Sequence, residues 1–222
     1  EIPLRLVGSE MCIRDRDKKM SETYDLKKIS RRLQRYLDED RFIHTQGVQY
    51  TAAALAMTYG CDLMKAQTAG LLHDCAKCIP AKKKLKLCER EGIPVTSYEK
   101  KNPFMLHAKL GAYLARNKYD IKDEEILQAI TWHTTGKAEM NLLEKIIFVA
   151  DYIEPNRCKA PNLSELRRLA FEDLTQCVCR ILEDTLNYLE QDDRELDEMT
   201  RTAYEYYSGL AKEKKREGKE NG

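Results

Sequence analysis

The sequence has few residues of the kinds that interrupt helices, with only 6 prolines and 10 glycines among 222 residues. It contains no run of about 18 apolar residues, which is the length that a membrane helix requires. The formal net charge is +1, so the chain lacks the whole-protein basic field that is typical of nucleic-acid binding. We therefore expect neither a membrane span nor a nucleic-acid partner.

The 8 cysteines do not follow the spacing of a disulfide framework. Cys75 and Cys78 form a C-x-x-C pair, but no second pair lies at the distance that a zinc ribbon needs. We interpret the cysteines as reduced thiols of a cytoplasmic protein. Hydrophobic residues make up 42% and charged residues 34% of the chain, a composition typical of a globular protein whose length suits one domain.

The two ends of the chain differ from the middle. The segment from Leu6 to Asp15 resembles the translation of a transposon adapter used in shotgun sequencing, so we interpret residues 1–19 as a non-native extension and expect Met20 to be the natural start. A disordered N-terminal extension is the alternative. We expect residues 20–211 to form the domain and residues 212–222, which are nearly all charged or glycine, to form a flexible tail.

Helical periodicity dominates residues 20–211, and no segment shows the period-2 alternation of a strand. Gly60 is a predicted helix C-cap and Asp62 the N-cap of the next helix. The stretch between Pro94 and Pro103 is predicted to be an irregular loop. The predicted fold is an all-α, single-domain helical bundle. Beyond the helices that meet at Gly60 and Asp62, helices are predicted at 104–117, 124–133, 142–153, 164–189 (as one helix or a broken one) and 196–211.

The residues that could carry chemistry are four histidines and two aspartates. His73 is followed directly by Asp74, and Asp151 lies in an otherwise apolar helix. A lone histidine on an apolar helix is more often a hydrogen-bonded core residue, and Asp151 alone could cap a helix or pair with an arginine. However, buried carboxylates are costly unless they are paired or bind a cation. Imidazole nitrogens together with carboxylate oxygens suit Fe²⁺, Mn²⁺, Co²⁺ or Zn²⁺.

The order His44, His73-Asp74, Asp151 resembles the HD-domain superfamily of metal phosphohydrolases. A closer match covers roughly residues 25–205 and resembles the YqeK family, bacterial enzymes that hydrolyse diadenosine tetraphosphate symmetrically to two ADP. The continuation Cys158-Lys159-Ala160 departs from that pattern, where a more acidic or aromatic sequence is expected. The strings that carry the resemblance are HTQGV at 44–48, LLHDCAK at 71–77, WHTTGK at 132–137 and ADYIEPNR at 150–157.

The resemblance implies a metal site and a substrate site. A bound metal lowers the pKa of its water and so supplies hydroxide as the nucleophile. The implied metal is iron, and its ligands are His44, His73, Asp74 and Asp151. The implied catalytic residues are Asp74, Lys77, His107 and His133. We expect His107 and His133 to contact phosphate, although a second metal at this pair is the open alternative. The implied substrate-binding residues are Gly47, Asp74, Cys75, Ala76, Lys77, His107, His133, Thr134, Asp151 and Arg157.

Two alternatives to a dinucleoside polyphosphate hydrolase stay open at this point. One is another HD-domain nucleotide phosphohydrolase, such as a nucleotidase or a guanosine tetraphosphate hydrolase. The other is a non-catalytic nucleotide-binding protein on the same scaffold, which would require a missing ligand residue. The sequence leaves the oligomeric state undetermined, a homodimer included.

Overall fold

The computed structural model describes residues 24–191 and 195–220, and the side chains of 24–190 and 195–213. The proposed extension at 1–19 and residues 221–222 of the predicted tail lie outside this part. The described residues form an all-helical fold without β-strands, as predicted. The helices are α1 Leu26–Leu33, α2 Glu39–Tyr59, α3 Leu63–Leu72, α4 Ala81–Arg90, α5 Ser97–Lys101, a 3-10 helix Pro103–Leu106, α6 His107–Tyr119, α7 Glu124–Trp132, α8 Leu142–Ile153, α9 Leu163–Glu172, α10 Leu174–Gln191 and α11 Glu198–Glu220.

Side-chain caps determine where several helices begin. The carboxylates of Asp38, Asp62 and Asp123 accept hydrogen bonds from the first-turn backbone N–H groups of α2, α3 and α7. Asn141 does the same for α8 and forms a reciprocal capping box with Glu144. Such bonds satisfy donors that have no partner within the helix. At the other end of α2, Gly60 adopts φ of 71° and terminates the helix, as its sequence predicts.

Two segments differ from the sequence prediction, and in a third the structure decides a point that the sequence left open. The predicted loop at 94–103 contains the short helix α5, which begins with a capping box between Thr96 and Glu99. The helical segment predicted at 164–189, as one helix or a broken one, is divided at Asp173 into α9 and α10. Helix α11 continues to Glu220, through most of the predicted flexible tail. Lysine, glutamate and arginine are good helix formers, so a charged segment can extend an existing helix.

The centre of the fold is formed by α2, α3, α7 and α8, which pack against one another. Gly70 in α3 allows the closest approach, because a Cβ at this position would lie 2.9 Å from the Gln49 Cα in α2. Leu55, Ile130 and Ile147 are fully buried in this core, and burial of each such side chain contributes about 1.5–3 kcal/mol. Helix α6 packs against α7, and α10 packs against α8, α9 and α11.

Helix α4 carries a run of lysines whose sequence predicts a solvated face. Lys82, Lys83 and Lys86 are exposed, but Lys84 is buried with 4% of its surface accessible. The Lys84 ammonium donates a hydrogen bond of 3.2 Å to the Lys77 carbonyl. Helix α4 therefore supports the turn that follows His73.

None of the helices in the described part of the chain is both long and apolar enough to cross a bilayer.

Candidate metal centre

The four residues predicted to bind a metal converge, although they come from three helices. His44 lies inside α2, His73 and Asp74 follow the end of α3, and Asp151 lies in α8. The Nε2 atoms of His44 and His73 are 3.3 Å apart. His44 Nε2 lies 3.0 Å from Asp151 Oδ1, and His73 Nε2 lies 3.6 Å from Asp74 Oδ2. The Asp151 side chain is 22% exposed, so this end of the cluster reaches solvent.

His107 and His133 form a second pair beside the first. His107 is the first residue of α6 and His133 follows α7, and their Nε2 atoms are 3.1 Å apart. Asp74 Oδ1 lies 3.2 Å from His107 Nε2 and 3.6 Å from His133 Nε2. The two oxygens of Asp74 therefore face two different histidine pairs.

Hydrogen bonds at Nδ1 determine which ring nitrogen carries the proton. The Nδ1 atoms of His73, His107 and His133 lie 2.6–2.7 Å from backbone carbonyl oxygens. A carbonyl only accepts, so each Nδ1 carries a proton, and a ring in its neutral form then presents its lone pair at Nε2. Burial also lowers the pKa of His73 to about 3 and that of His107 to about 4, because a buried imidazolium loses its hydration. These two rings are thus neutral near pH 7.

This donor set fits a divalent cation. When both rings are neutral, the Nε2 lone pairs of His107 and His133 face each other across 3.1 Å and repel unless a positive charge lies between them. Asp74 Oδ1 is buried and receives no hydrogen bond from the described residues. Neutral imidazoles and carboxylates are ligands of Fe²⁺, Mn²⁺, Co²⁺ and Zn²⁺. Residues His44, His73 and Asp151, and also His73, Asp74 and His133, bring their ligand atoms close enough to share one ion.

Both aspartates are ionised, and each is held by an arginine. Burial by itself would raise the pKa of Asp74, but the charged and polar groups around it, the Lys77 ammonium among them, outweigh burial and keep this pKa well below its usual value. For Asp151, burial is likewise outweighed by His44 and Arg157. Arg41 Nη1 donates to Asp74 Oδ2 over 2.7 Å, and Arg157 Nη2 donates to Asp151 Oδ1 over 3.0 Å.

Arg41 and Glu154 belong to this site but are absent from the sequence prediction. Arg41 lies three residues before His44 on α2, a spacing that places two side chains on the same face of a helix and could have identified it. The Glu154 Oε1 atom lies 3.1 Å from His44 Nδ1. Glu154 is within the string that resembles the YqeK family, but its contact with His44 depends on how α8 packs against α2.

The other predicted site residues fall into two groups. Lys77 Nζ lies 3.1 Å from His107 Nε2, and Thr134 Oγ1 lies 3.0 Å from His133 Nε2, so both border the second histidine pair. In contrast, the side chains of Cys75 and Ala76 are packed in apolar clusters, and the Cys75 thiol points to the Gly111 carbonyl. Any contact of Cys75 or Ala76 with substrate therefore cannot involve these side chains as they are packed here.

A cleft of about 710 Å³ opens beside the first histidine pair. Its size lies within the range of small-molecule sites. Arg41, Arg157 and Lys159 supply positive charge along its wall, next to the exposed edge of Asp151. Its remaining lining residues are Asp38, Asp40, Ile43, His44, Glu154, Asn156 and Cys158.

An all-helical fold that brings a His, His-Asp, Asp set to one centre defines the class of HD-domain proteins, and the HD domain family matches residues 41–156. A Bacillus subtilis protein named bis(5'-nucleosyl)-tetraphosphatase, symmetrical, is 44% identical over 153 residues, which is 69% of this chain and 81% of that protein. A Staphylococcus aureus protein of the same name is 34% identical over 188 residues, or 83% and 95% of the two chains. The chain belongs to the HD-domain family and, within it, to the family of these symmetrical tetraphosphatases.

A solved structure supports the fold. The crystal structure of a predicted HD superfamily hydrolase involved in NAD metabolism, from Clostridium acetobutylicum, is 38% identical in sequence. It covers 85% of this chain and 100% of its own, with a TM-score of 0.81.

Proposed function

We propose that this protein is a metal-dependent hydrolase that cleaves diadenosine tetraphosphate symmetrically to two ADP. The observation that carries the proposal is the convergence of His44, His73, Asp74 and Asp151 on one electron-rich centre, in a chain that belongs to the family described above. The adjacent cleft, with Arg41, Arg157 and Lys159 on its wall, suits a highly anionic substrate because guanidinium groups bind phosphate through paired hydrogen bonds.

The proposed resident metal is iron, and the same donor set accepts Mn²⁺, Co²⁺ or Zn²⁺. When bound, such an ion acidifies water and neutralises charge on phosphoryl oxygens. His44, His73, Asp74 and Asp151 hold it. The neutral state of His73 suits this role, because a metal ligand needs a free lone pair.

The protein's own side chains orient the reacting groups. Lys77 lies 3.6 Å from Asp74 Oδ1 and is one-third exposed, so its ammonium can reach a phosphoryl oxygen while it also orients Asp74. Arg157 contacts Asp151 and borders the cleft, where its remaining guanidinium donors can bind a neighbouring phosphate. Thr134, with its hydroxyl between the Nε2 atoms of His107 and His133, lies on the opposite side of the centre.

We also propose that the protein works in the cytoplasm. Each of the 7 cysteines that the structure describes is a free thiol, and such thiols persist in a reducing compartment.

Product analysis tests the proposed function. We expect the purified chain with Fe²⁺ or Mn²⁺ to convert diadenosine tetraphosphate to ADP alone, as resolved by ion-exchange chromatography. A chelator should abolish the reaction, and Asp74→Ala or His73→Ala should remove both metal and turnover while the helical circular dichroism signal survives. Lys82→Met, at an exposed position of α4, serves as the control. Formation of ATP and AMP, or full activity without metal, would overturn the proposal.

A further inference from the structure

The Glu154 carboxylate is buried directly against His44. Glu154 is only 2% exposed and follows the last residue of α8. Its Oε1 lies 3.1 Å from His44 Nδ1, and its Oε2 accepts hydrogen bonds from the backbone and side-chain nitrogens of Asn156. Among the described residues, His44 is its only ionisable partner. Because the described residues give this buried carboxylate no salt bridge to a lysine or an arginine, its charge acts mainly on that imidazole.

His44 needs this partner because of where it lies in its helix. His73 and His133 follow the C-terminal ends of α3 and α7 and donate from Nδ1 to the carbonyl three residues earlier, where helices leave carbonyls without partners. His107 donates in the same way to the Phe104 carbonyl of the preceding 3-10 helix. His44 lies in the second turn of α2, where the nearby carbonyls are already bonded within the helix. The acceptor beside His44 Nδ1 is instead the carboxylate of Glu154, a side chain from outside α2.

Gly47 provides the space that Glu154 occupies. It lies three residues after His44 on α2, and a Cβ at this position would be 2.3 Å from Glu154 Oε2 and 3.1 Å from Glu154 Cδ. Any other residue would push the carboxylate away from α2. The sequence predicts that Gly47 binds substrate. Its position against Glu154 indicates instead that the missing side chain of Gly47 leaves room for the Glu154 carboxylate.

We infer that Glu154 is a positioning residue, which holds the His44 Nδ1 proton and thereby aims the Nε2 lone pair at the metal, and that Gly47 makes this contact possible. The inference rests on the metal centre of the proposed function. A carboxylate that accepts from a ligand histidine fixes its tautomer and orientation and increases its basicity, and loss of such a partner weakens metal binding about tenfold to a hundredfold.

Metal affinity, rather than turnover alone, tests the inference. We would strip the full-length wild type, Glu154→Gln and Gly47→Ala with a chelator and titrate each with Mn²⁺ under the same conditions. Both variants should bind Mn²⁺ about tenfold to a hundredfold more weakly. At saturating Mn²⁺ the KM for diadenosine tetraphosphate should stay unchanged and kcat should recover. Unchanged Mn²⁺ affinity in both variants would overturn the inference.

Two further measurements separate positioning from general structural damage. Glu144→Gln alters another buried glutamate of α8 that caps its first turn, so it should lower the melting temperature and leave Mn²⁺ affinity unchanged. The double variant Gly47→Ala/Glu154→Gln should bind Mn²⁺ no more weakly than the worse single variant, because both changes break one contact. If the losses of Mn²⁺ affinity in the two single variants add up in the double variant, the two changes do not act through the same contact.

The proposed function can fail separately. If the wild type binds Mn²⁺ but does not cleave diadenosine tetraphosphate, the substrate assignment is wrong and the titrations still decide the role of Glu154. A wild type that binds no divalent metal would overturn both.

Discussion

Asp74 lies between the two histidine pairs of the site, His44–His73 and His107–His133. Its Oδ2 faces Arg41 and the His44–His73 pair, whereas its buried Oδ1 faces His107 and His133. One carboxylate can bridge two cations in this way. The Nε2 lone pair of neutral His107 favours a metal-ligand role over the phosphate contact that the sequence predicts, because a neutral Nε2 cannot donate to a phosphate oxygen.

Metal stoichiometry distinguishes these two roles. We expect the wild type to bind two Mn²⁺ ions per chain at saturation and His107→Asn to bind one, because the first site keeps all four of its ligands. Elemental analysis after gel filtration provides the measurement. A wild type that holds a single ion under these conditions would favour the phosphate contact instead.

Lys77 should contribute to turnover without holding the metal. A lysine ammonium has no lone pair to offer a cation, so Lys77→Met should keep its metal content. Loss of one charge-assisted hydrogen bond to phosphate should lower kcat/KM about tenfold to a hundredfold. Steady-state kinetics at saturating metal measures this, with Lys82→Met as a matched, exposed control. Equal kcat/KM in Lys77→Met and wild type would show that Lys77 does not contact the polyphosphate.

At the scale of elements, the contact between α2 and α3 sets the distance between His44 and His73. Gly70 allows this contact, since its missing Cβ would meet the backbone of Gln49 at 2.9 Å. Backbone cannot rotate away as a side chain can, so the two helices would have to separate. The Gly70 carbonyl also accepts the His73 Nδ1 hydrogen bond, which links helix packing to ring orientation.

Substitution of Gly70 tests this dependence on packing. Gly70→Ala should destabilise the fold by about 1–3 kcal/mol through overpacking and weaken metal binding. Gly209→Ala in α11 is the matched control, because nothing lies within 4 Å of the added methyl group and the fold should gain about 0.5–1 kcal/mol. Urea unfolding followed by circular dichroism gives both values. The idea fails if Gly70→Ala is as stable as the wild type.

At the scale of the whole molecule, buried neutral histidines make folding sensitive to acid. In the folded protein, burial lowers the pKa of His73 to about 3 and that of His107 to about 4. In the unfolded chain both histidines titrate at about pH 6.5. Between these values only the unfolded chain binds the protons, so the free energy of unfolding decreases as pH falls. His44 acts in the opposite direction: burial lowers its pKa, but bonds to Asp151 and Glu154 outweigh burial and raise it.

The metal-free protein should therefore lose stability between about pH 6.5 and pH 4, by up to about 1.4 kcal/mol per pH unit for each of the two histidines. His107→Asn should reduce this slope. Urea unfolding at a series of pH values, with chelator present throughout, measures both slopes. Identical slopes in the wild type and His107→Asn would show that His107 does not titrate as proposed.

The sequence by itself determined the features that depend on neighbouring residues along the chain, namely the helix ends and the helical fold class. Asp62 and Gly60 mark helix ends because a cap acts on backbone within a few residues, and the all-helical fold follows from periodicity along each segment. The adjacent His73 and Asp74, together with the strings around His44 and Asp151, indicated the metal-binding residues through their resemblance to a family.

Contacts between distant segments are what only the tertiary structure decided. Arg41 and Asp74 are 33 residues apart, and His44 and Glu154 are 110 residues apart, so no local spacing reveals these pairs. The burial of Lys84 likewise depends on where α4 packs, although the sequence of this lysine run predicts a solvated face. These partners arise from the way helices meet, because periodicity determines which face of a helix is apolar but not which residue of another helix lies opposite.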